Sequence, residues 1–334
     1  MTAPTNRQIL LVETPKGKLG PEHFRLQEAA MPAAQEGDLL LKVRLISLDA
    51  ANRAWMQGAT YREAVGAGSV MAGGAVAEVV ESRAPGFASG DLVFADTGWQ
   101  EYVALPARKV LKVPRVEPLT HLISVYGVAG LTAYFGLLSI GQPKAGDTVV
   151  VSAAAGSVGS IVGQIAKLKG CRVVGIAGGK DKCDWLVQEL GFDAAVDYKA
   201  GPVFKPLKAA APEGIDVYFD NVGGDIFEAC LAQMKVGGRI ACCGAISAYD
   251  GAAPQAGPRG VPGLIVVKRL TVKGFIVTDF YPERDKAIAD LSAWVASGKL
   301  KVQEDVLEGL ESTPRALIGL LAGENRGKRM VRVS

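Results

Sequence analysis

The stretch Val149-Val150-Val151-Ser152-Ala153-Ala154-Ala155-Gly156-Ser157-Val158-Gly159, with the helical run behind it to Lys169, constrains this chain more than any other. An apolar β-branched run enters a turn of small residues, and a segment of helical period leaves it. Val158, Ile161, Val162, Ile165 and Leu168 recur at helical spacing, and Gly170 supplies the stop. A strand, a small-residue turn and a helix N-terminus make an anion site. The first backbone N–H groups of the helix point at the ligand, and no side chain keeps a phosphate away. Against the dinucleotide fingerprint G-x-G-x-x-G, the second and third glycines are Gly156 and Gly159, while Ala154 stands at the first. Small residues also serve tight strand–helix packing, so the motif draws its force from context. A second apolar run, Cys171 to Ala177, follows the helix at once, as a βαβ unit requires.

The end of that second run selects among nucleotides. A site for a ribose 2′-hydroxyl wants a carboxylate there, about 20 residues beyond the glycines. This chain has Gly178-Gly179-Lys180-Asp181-Lys182 instead. Two lysines and two glycines suit a 2′-phosphate, which favours NADPH, with Asp181 between the lysines as the dissenting charge. The alternative is a solvated helix start with ordinary surface lysines.

A length of 334 residues allows one large core or two domains, and two are expected. The 37 basic and 34 acidic residues are dispersed and no basic-aromatic tract occurs, which argues against nucleic acid. Met1 to Gln8 lacks the apolar core of a signal peptide, and no apolar run reaches bilayer length, so a cytoplasmic protein is expected. The five cysteines, Cys171, Cys183, Cys230, Cys242 and Cys243, are odd in number and show no metal-ligand spacing. Reduced, packed thiols are expected, and no metal site.

Residues 1 to about 120 read as mostly β. Asp38 to Ile46, Ala75 to Glu81, Gly90 to Phe94 and Gly98 to Val103 carry strand character, separated by turns such as Ala84-Pro85-Gly86. Strands this close together do not suit βαβ crossovers, so this is a separate, small barrel-like domain. From Leu122 the period becomes helical to Leu138, and Gly127 and Gly130 imply a close approach. Beyond the fingerprint come a helix from Lys182 to Leu190, a strand at Ala194 to Asp197, and a strand at Gly214 to Asp220. A helix at Ile226 to Met234 and a strand at Gly237 to Gly244 follow. This alternation predicts a doubly wound parallel sheet with right-handed crossovers. Asp250 to Gly263 is too rich in glycine and proline for a regular element and reads as a loop that moves or binds, or a plain surface excursion. A strand at Thr271 to Val277, a helix at Asp285 to Val295, and a helix from Thr313-Pro314 to Leu321 complete the chain. The late strand Leu270 to Val277 would leave an unpaired apolar edge in a monomer, which predicts a homodimer closed about a two-fold axis.

Several catalytic schemes are excluded. No tyrosine is followed four residues later by lysine, no G-x-S-x-G elbow occurs, and no Walker motif is present. Five motifs in order carry a resemblance: Ala153 to Gly159; Gly191-Phe192-Asp193 with Asp197-Tyr198-Lys199; Tyr218 to Gly224; Cys243 to Ser247 with Tyr249; and Gly323 to Lys328. Over nearly its whole length the chain resembles the medium-chain dehydrogenase/reductase superfamily. Within it, the chain is most similar to the zinc-independent leukotriene B4 12-hydroxydehydrogenase/prostaglandin reductase family of alkenal/enone double-bond reductases.

The resemblance implies a Rossmann NADPH-binding domain at 125–304 and a GroES-like, mostly β substrate domain at 1–124, rejoined by 305–334. It implies that Ala155, Gly156, Ser157, Val158 and Gly159 hold the pyrophosphate, and that Gly179, Lys182 and Tyr198 meet the 2′-phosphate. Asn221, Cys243, Gly244, Ala245, Ile246, Ser247, Tyr249, Phe275, Ile276, Val277 and Asn325 would line the rest of the cofactor. The chain also departs from its relatives. Where zinc-dependent relatives carry ligands, it has Ile46-Ser47-Leu48-Asp49 and Ala72-Gly73-Gly74-Ala75, and Ala50-Ala51-Asn52-Arg53 replaces a Pro-Tyr-type substrate segment. The activity expected from the resemblance is NADPH-dependent reduction of the C=C bond of α,β-unsaturated aldehydes or ketones. Tyr249 and Asn52 are the candidate donors to the carbonyl oxygen, where enolate charge develops; for Tyr249 the alternative is a packing ring over the cofactor. An NADPH:quinone reductase of the same superfamily and a low-turnover NADPH-binding sensor are the other readings.

Overall fold

The computed structural model describes residues 5–251 and 257–333, and the chain divides into two units. The first holds Met1–Ile123, Glu304–Asn325 and Arg329–Ser334. Its strands are β1 (Thr5–Leu11), β2 (Phe24–Ala30), β3 (Asp38–Ser47), β4 (Ser69–Val70), β5 (Gly74–Ser82), β6 (Leu92–Asp96), β7 (Tyr102–Pro106) and β8 (Leu111–Lys112), with a short helix α1 (Ala51–Ala54) after β3. A three-stranded sheet has the order β2-β1-β4. In the larger sheet β3 pairs antiparallel with β5 along one edge and with β7 along the other. Leu39, Leu41, Val43 and Ile46 are fully buried there. β3 is apolar at both ends, at Leu39–Leu41 and Leu45–Ile46, and alternates at its middle, where Lys42 and Arg44 are only half-buried. The strand expected at 98–103 begins only at Tyr102. Its first residues form a turn in which the Gln100 carboxamide donates to the Thr97 carbonyl at 2.7 Å.

The second unit is Ser124–Gln303 with Arg326–Lys328. Helix α2 (Val128–Phe135) runs into a π-helical turn at Gly136–Gly141, so the single helix expected over 122–138 is shorter and irregular at its end. A Cβ on Gly130 would lie 1.8 Å from the Val125 carbonyl oxygen, so the close approach is made by the chain's own preceding turn. There follow β9 (Thr148–Ser152), α3 (Gly159–Leu168), β10 (Arg172–Ala177), α4 (Lys180–Gln188), β11 (Ala194–Asp197), α5 (Phe204–Ala210), β12 (Ile215–Asp220), α6 (Gly224–Gln233), β13 (Met234–Cys242), α7 (Val261–Lys268), β14 (Thr271–Gly274) and α8 (Arg284–Ala296). The sheet order is β11-β10-β9-β12-β13-β14, with parallel neighbours throughout. The chain winds outward from β9 to β11, then restarts at β12 on the other side. The expected doubly wound sheet is present, and its switch point lies between the C-terminal ends of β9 and β12.

Three local expectations are corrected. β14 stops at Gly274, and Val277–Glu283 is a 3-10 segment instead of strand. β13 ends at Cys242, so Cys243 and Gly244 already belong to the turn. The glycine- and proline-rich stretch expected to be irregular through Gly263 contains the start of α7, with Pro262 in its first turn, where a missing N–H costs nothing; residues 252–256 of that stretch lie outside the described residues.

The return to the first unit consists of β15 (Glu304–Glu308), α9 (Thr313–Leu321) and β16 (Lys328–Arg332). β16 pairs antiparallel with β3, and Leu310, Ala316, Leu317 and Val331 join the core containing Ile9 and Ile46. Among the described residues no helix is long and apolar enough to cross a membrane.

Candidate functional site

The turn after β9 is built by sterics. Ala153 takes φ +47° in the left-handed region, which reverses the chain sharply, and the Gly156 N–H closes the turn on the Ala153 carbonyl at 2.9 Å. A Cβ on Gly159 would lie 2.4 Å from that carbonyl oxygen and 2.8 Å from the Ala154 Cα, so only glycine lets α3 begin this close to the strand. A Cβ on Gly156 would meet the same oxygen at 3.1 Å. Ala154, at the position of the first fingerprint glycine, is fully buried. Its methyl group lies 2.9 Å from where a Cβ on Gly175 would be. The glycine missing from the turn is thus replaced by one on the neighbouring strand. Gly156, Ser157 and Val158 remain half-exposed at the N-terminal end of α3. The Ala155 carbonyl accepts the Gly327 N–H at 2.8 Å, while the Lys328 N–H donates to the Gln303 carbonyl at 3.0 Å. Arg326–Lys328 therefore buttresses the turn from behind.

At the end of β10, one oxygen of Asp197 accepts the N–H groups of Gly179 at 2.7 Å and Lys199 at 2.9 Å. These backbone bonds hold its carboxyl below the usual carboxylate range. Asp197 is occupied in shaping the turn. Gly179 has φ +100° and open space where a Cβ would project. The ring of Tyr198 stands against Gly178, 2.9 Å from its Cβ position. Lys180 pairs with Asp184 one helical turn on. Lys182 is half-buried in the first turn of α4, whose N-cap is Gly179.

The switch point is held by polar contacts across β9, β12 and β13. The Asn221 side chain donates to the Ser152 carbonyl at 2.7 Å and its N–H to Ser152 Oγ at 2.9 Å. The Asp220 carbonyl accepts the N–H groups of Cys243 at 2.8 Å and Gly244 at 3.2 Å. The Asn221 carbonyl accepts the Ile246 N–H at 3.2 Å, and the Val222 carbonyl accepts both the N–H and the hydroxyl of Ser247. Residues 243–249 are laced in this way to 220–222. Tyr249 folds back on the turn, its hydroxyl oxygen accepting the Ala245 N–H at 3.1 Å. A phenol oxygen that accepts one hydrogen bond keeps its O–H as a donor. Burial and the Asp220 charge push the Cys243 thiol up to about 12 and Cys242 to about 11, so neither is a thiolate at neutral pH.

Not every expected residue presents its side chain. Phe275 packs edge-on against Phe219 at 6.2 Å between centroids, and a Cβ on Gly136 would strike its ring at 2.3 Å. Val277 is buried in the same core, with the half-buried Ile276 between them. The side chains of Phe275 and Val277 thus serve the core. Asn325, also buried, belongs to the first unit. So does Asn52, which is 1% exposed. Its carboxamide oxygen accepts the Asp49 N–H at 2.8 Å and its NH2 donates to the Ala72 carbonyl at 3.1 Å. The expected donor Asn52 thus uses its oxygen and one of its two amide N–H groups to brace the start of α1 inside its own unit. Sequence reasoning missed Ser152 and Asp220. Their only signal is polarity at the ends of two apolar strands.

The family model described as the N-terminal domain of oxidoreductase matches residues 7–113, and that described as zinc-binding dehydrogenase matches residues 157–295. The chain is 45% identical to prostaglandin reductase 1 of Bos taurus, covering 92% of this chain and 93% of that protein. It is 41% identical to the NADPH-dependent curcumin reductase of Escherichia coli, covering 98% and 97%. The crystal structure of CurA from Vibrio vulnificus in complex with NADPH is similar with a TM-score of 0.93 at 42% identity, covering 98% of this chain and 99% of that one.

Proposed function

Because this chain belongs to the alkenal/enone double-bond reductase family of the medium-chain dehydrogenases/reductases, we propose that it reduces the C=C bond of α,β-unsaturated aldehydes and ketones with NADPH. The observation that carries this reading is the second unit's switch point. A glycine turn at its centre, a lysine–tyrosine corner on one side and a laced turn ending in Tyr249 on the other fit the parts of a dinucleotide in order. The cradle at Gly156 and Gly159, which a Cβ would fill, fits a pyrophosphate.

NADPH, when bound, supplies the hydride that adds to the β-carbon. The chain's own residues bind and orient. The N-terminal end of α3 and the amides around Gly156 hold the pyrophosphate. Lys182 and Tyr198 take the 2′-phosphate, and Asn221 with residues 243–247 lines the other half. The Tyr249 hydroxyl, its oxygen accepting the Ala245 N–H, would donate a hydrogen bond to the carbonyl oxygen on which enolate charge gathers, and the proton that completes the reduction would reach the α-carbon from a side chain or water. The direct test follows NADPH absorbance with an alkenal, with a quinone and with neither. Alkenal-dependent oxidation supports the reading, preferential oxidation by the quinone replaces it with quinone reduction, and no turnover with either leaves a binding protein.

Cofactor preference is expected to rest on Lys182. Lys182→Ala should lose about 1–3 kcal/mol of the preference for NADPH over NADH, as for a charge-assisted hydrogen bond. Equal KM values for the two cofactors in the unmodified protein would refute this assignment.

The reaction is proposed to need no metal. Ser47-Leu48-Asp49 and Gly73-Gly74 stand where ligands would be required, and no group of three or more His, Cys, Asp or Glu among the described residues is arranged to hold an ion. Turnover should survive dialysis against a strong chelator, and one zinc per chain by elemental analysis would count against the assignment. Five cysteines without disulfides support a reducing, cytoplasmic setting.

A homodimer is proposed through the β14 edge. β14 closes one side of the sheet with exposed residues throughout, and Val272 on it is exposed, as are Val266 and Val267 of α7. An unpaired strand edge, with Val272 as its one apolar side chain, is a template for pairing with a second copy. Light scattering should give twice the 34.9 kDa chain mass; the single-chain mass at micromolar concentration would rule it out.

A further inference from the structure

Asp220 is the one charged group at the switch point to which the proposed chemistry gives no role. It ends β12 and is 3% exposed. Its Oδ1 accepts the Tyr218 hydroxyl at 2.6 Å, the Ser152 hydroxyl at 3.1 Å, and the N–H groups of Val222 and Gly223 at 3.0 Å each. Tyr218 lies two residues back, on the same face of the strand. Among the described residues no lysine, arginine or histidine pairs with this carboxylate, and no donor reaches Oδ2. Four donors converging on one oxygen are what a buried carboxylate calls for. No opposite charge among the described residues neutralises it, so its field extends beyond those donors.

Where it sits suggests what that field acts on. The 2′-phosphate corner lies at the end of β10, on one side of β9, and the pyrophosphate turn lies at the end of β9 itself. A dinucleotide bound in that order extends its nicotinamide half the other way, over the ends of β12 and β13. Asp220, at the C-terminal end of β12, stands on that side of the pyrophosphate turn. Burial first, and then this carboxylate, raise the thiols of Cys230, Cys242 and Cys243 around it.

We propose that Asp220 is a positioning residue for the cofactor: its hydrogen bonds fix the 220–223 and 243–244 turns, and its charge, which no cation among the described residues pairs, favours the oxidised cofactor, whose nicotinamide ring carries one more positive charge than the reduced ring. This rests on the NADPH reading above. A residue that favours the product form of the cofactor favours hydride donation.

The experiment measures Kd for NADPH and for NADP+ by fluorescence titration and calorimetry, in the unmodified protein, Asp220→Asn and Tyr218→Phe, with thermal melting as a check of folding. Asp220→Asn should weaken NADP+ binding about tenfold more than NADPH binding, as expected for one charge acting across roughly 10 Å in a partly screened interior. Tyr218→Phe removes a hydroxyl that shares the charge. It should shift the ratio the opposite way, by about twofold. If Asp220→Asn lowers both affinities equally, or changes neither, the carboxylate is merely structural and the proposal is overturned. Should Asp220→Asn fail to fold, Tyr218→Phe decides, and an unchanged ratio there also overturns it. An unmodified protein that binds neither cofactor form refutes the NADPH reading instead.

Discussion

Gly159→Ala is expected to lower kcat/KM with NADPH by about 100-fold and to weaken NADPH binding in a titration that involves no substrate. Its Cβ would sit 2.4 Å from the Ala153 carbonyl oxygen, about an ångström inside ordinary contact. That oxygen is backbone, fixed by the Gly156 N–H, and cannot rotate away. Relief comes only from moving the N-terminal end of α3 off the strand, which takes the phosphate-facing amides with it. Overpacking of this kind costs about 1–3 kcal/mol of stability, and a misplacement of about 1 Å at a binding site can cost roughly 100-fold in rate. Gly156→Ala supplies the graded control. Its Cβ would meet the same oxygen at 3.1 Å, so a shift of a few tenths of an ångström relieves it and the loss should be clearly smaller. NADPH affinity of Gly159→Ala equal to that of the unmodified protein would show that the turn does not hold the pyrophosphate.

That turn also marks how far the sequence could be read. The βαβ period around Val149 to Ala177 specifies β9, α3 and β10 because apolar residues recur at strand and helix spacing, a local property. The alternation carries through β13. It fails where the decisive contact is distant in sequence. Ala154 at a glycine position is accommodated by Gly175, 21 residues later and on another strand, and nothing near Ala154 announces it. Asn52 has the chemistry of a substrate donor, yet its burial and its bonds to Asp49 and Ala72 depend on how the start of β5 passes α1. Phe275 shows the same limit: its ring fills space opened by Gly136. Helix α7 was hidden for a different reason. Its first turn is Val261-Pro262-Gly263, composition that argues for a loop, and the exposed Val266 and Val267 beside the core-packed Val261, Leu264 and Ile265 make the run apolar on both faces, so no one-sided pattern marks it. Asp220 and Ser152 end apolar strands and read as turn polarity. Only the strand order, which sets β9 beside β12, joins them.

The largest effect on the chemical step is expected at Tyr249. Its hydroxyl oxygen accepts the Ala245 N–H at 3.1 Å, which fixes the oxygen against the turn, and the O–H remains a donor by its chemistry. If that proton meets the carbonyl oxygen as enolate charge develops, Tyr249→Phe removes a donor that acts in the transition state. Both kcat and kcat/KM should then fall together, by roughly 100-fold for one lost donor. The Phe variant keeps the ring, so NADPH affinity should change little; the Ala245 N–H loses its acceptor, and thermal melting reports what that costs the turn. Tyr249→Ala removes ring and hydroxyl together and should weaken NADPH binding as well. A packing role predicts the reverse pattern: near-full activity in the Phe variant and loss only in the Ala variant. In that case the proton reaches the α-carbon from water. Asn52, with one of its two amide N–H groups bonded to the Ala72 carbonyl, then becomes the better candidate for orienting the carbonyl. Both variants assayed against one enone, with NADPH absorbance for rate and fluorescence titration for affinity, separate hydroxyl from ring.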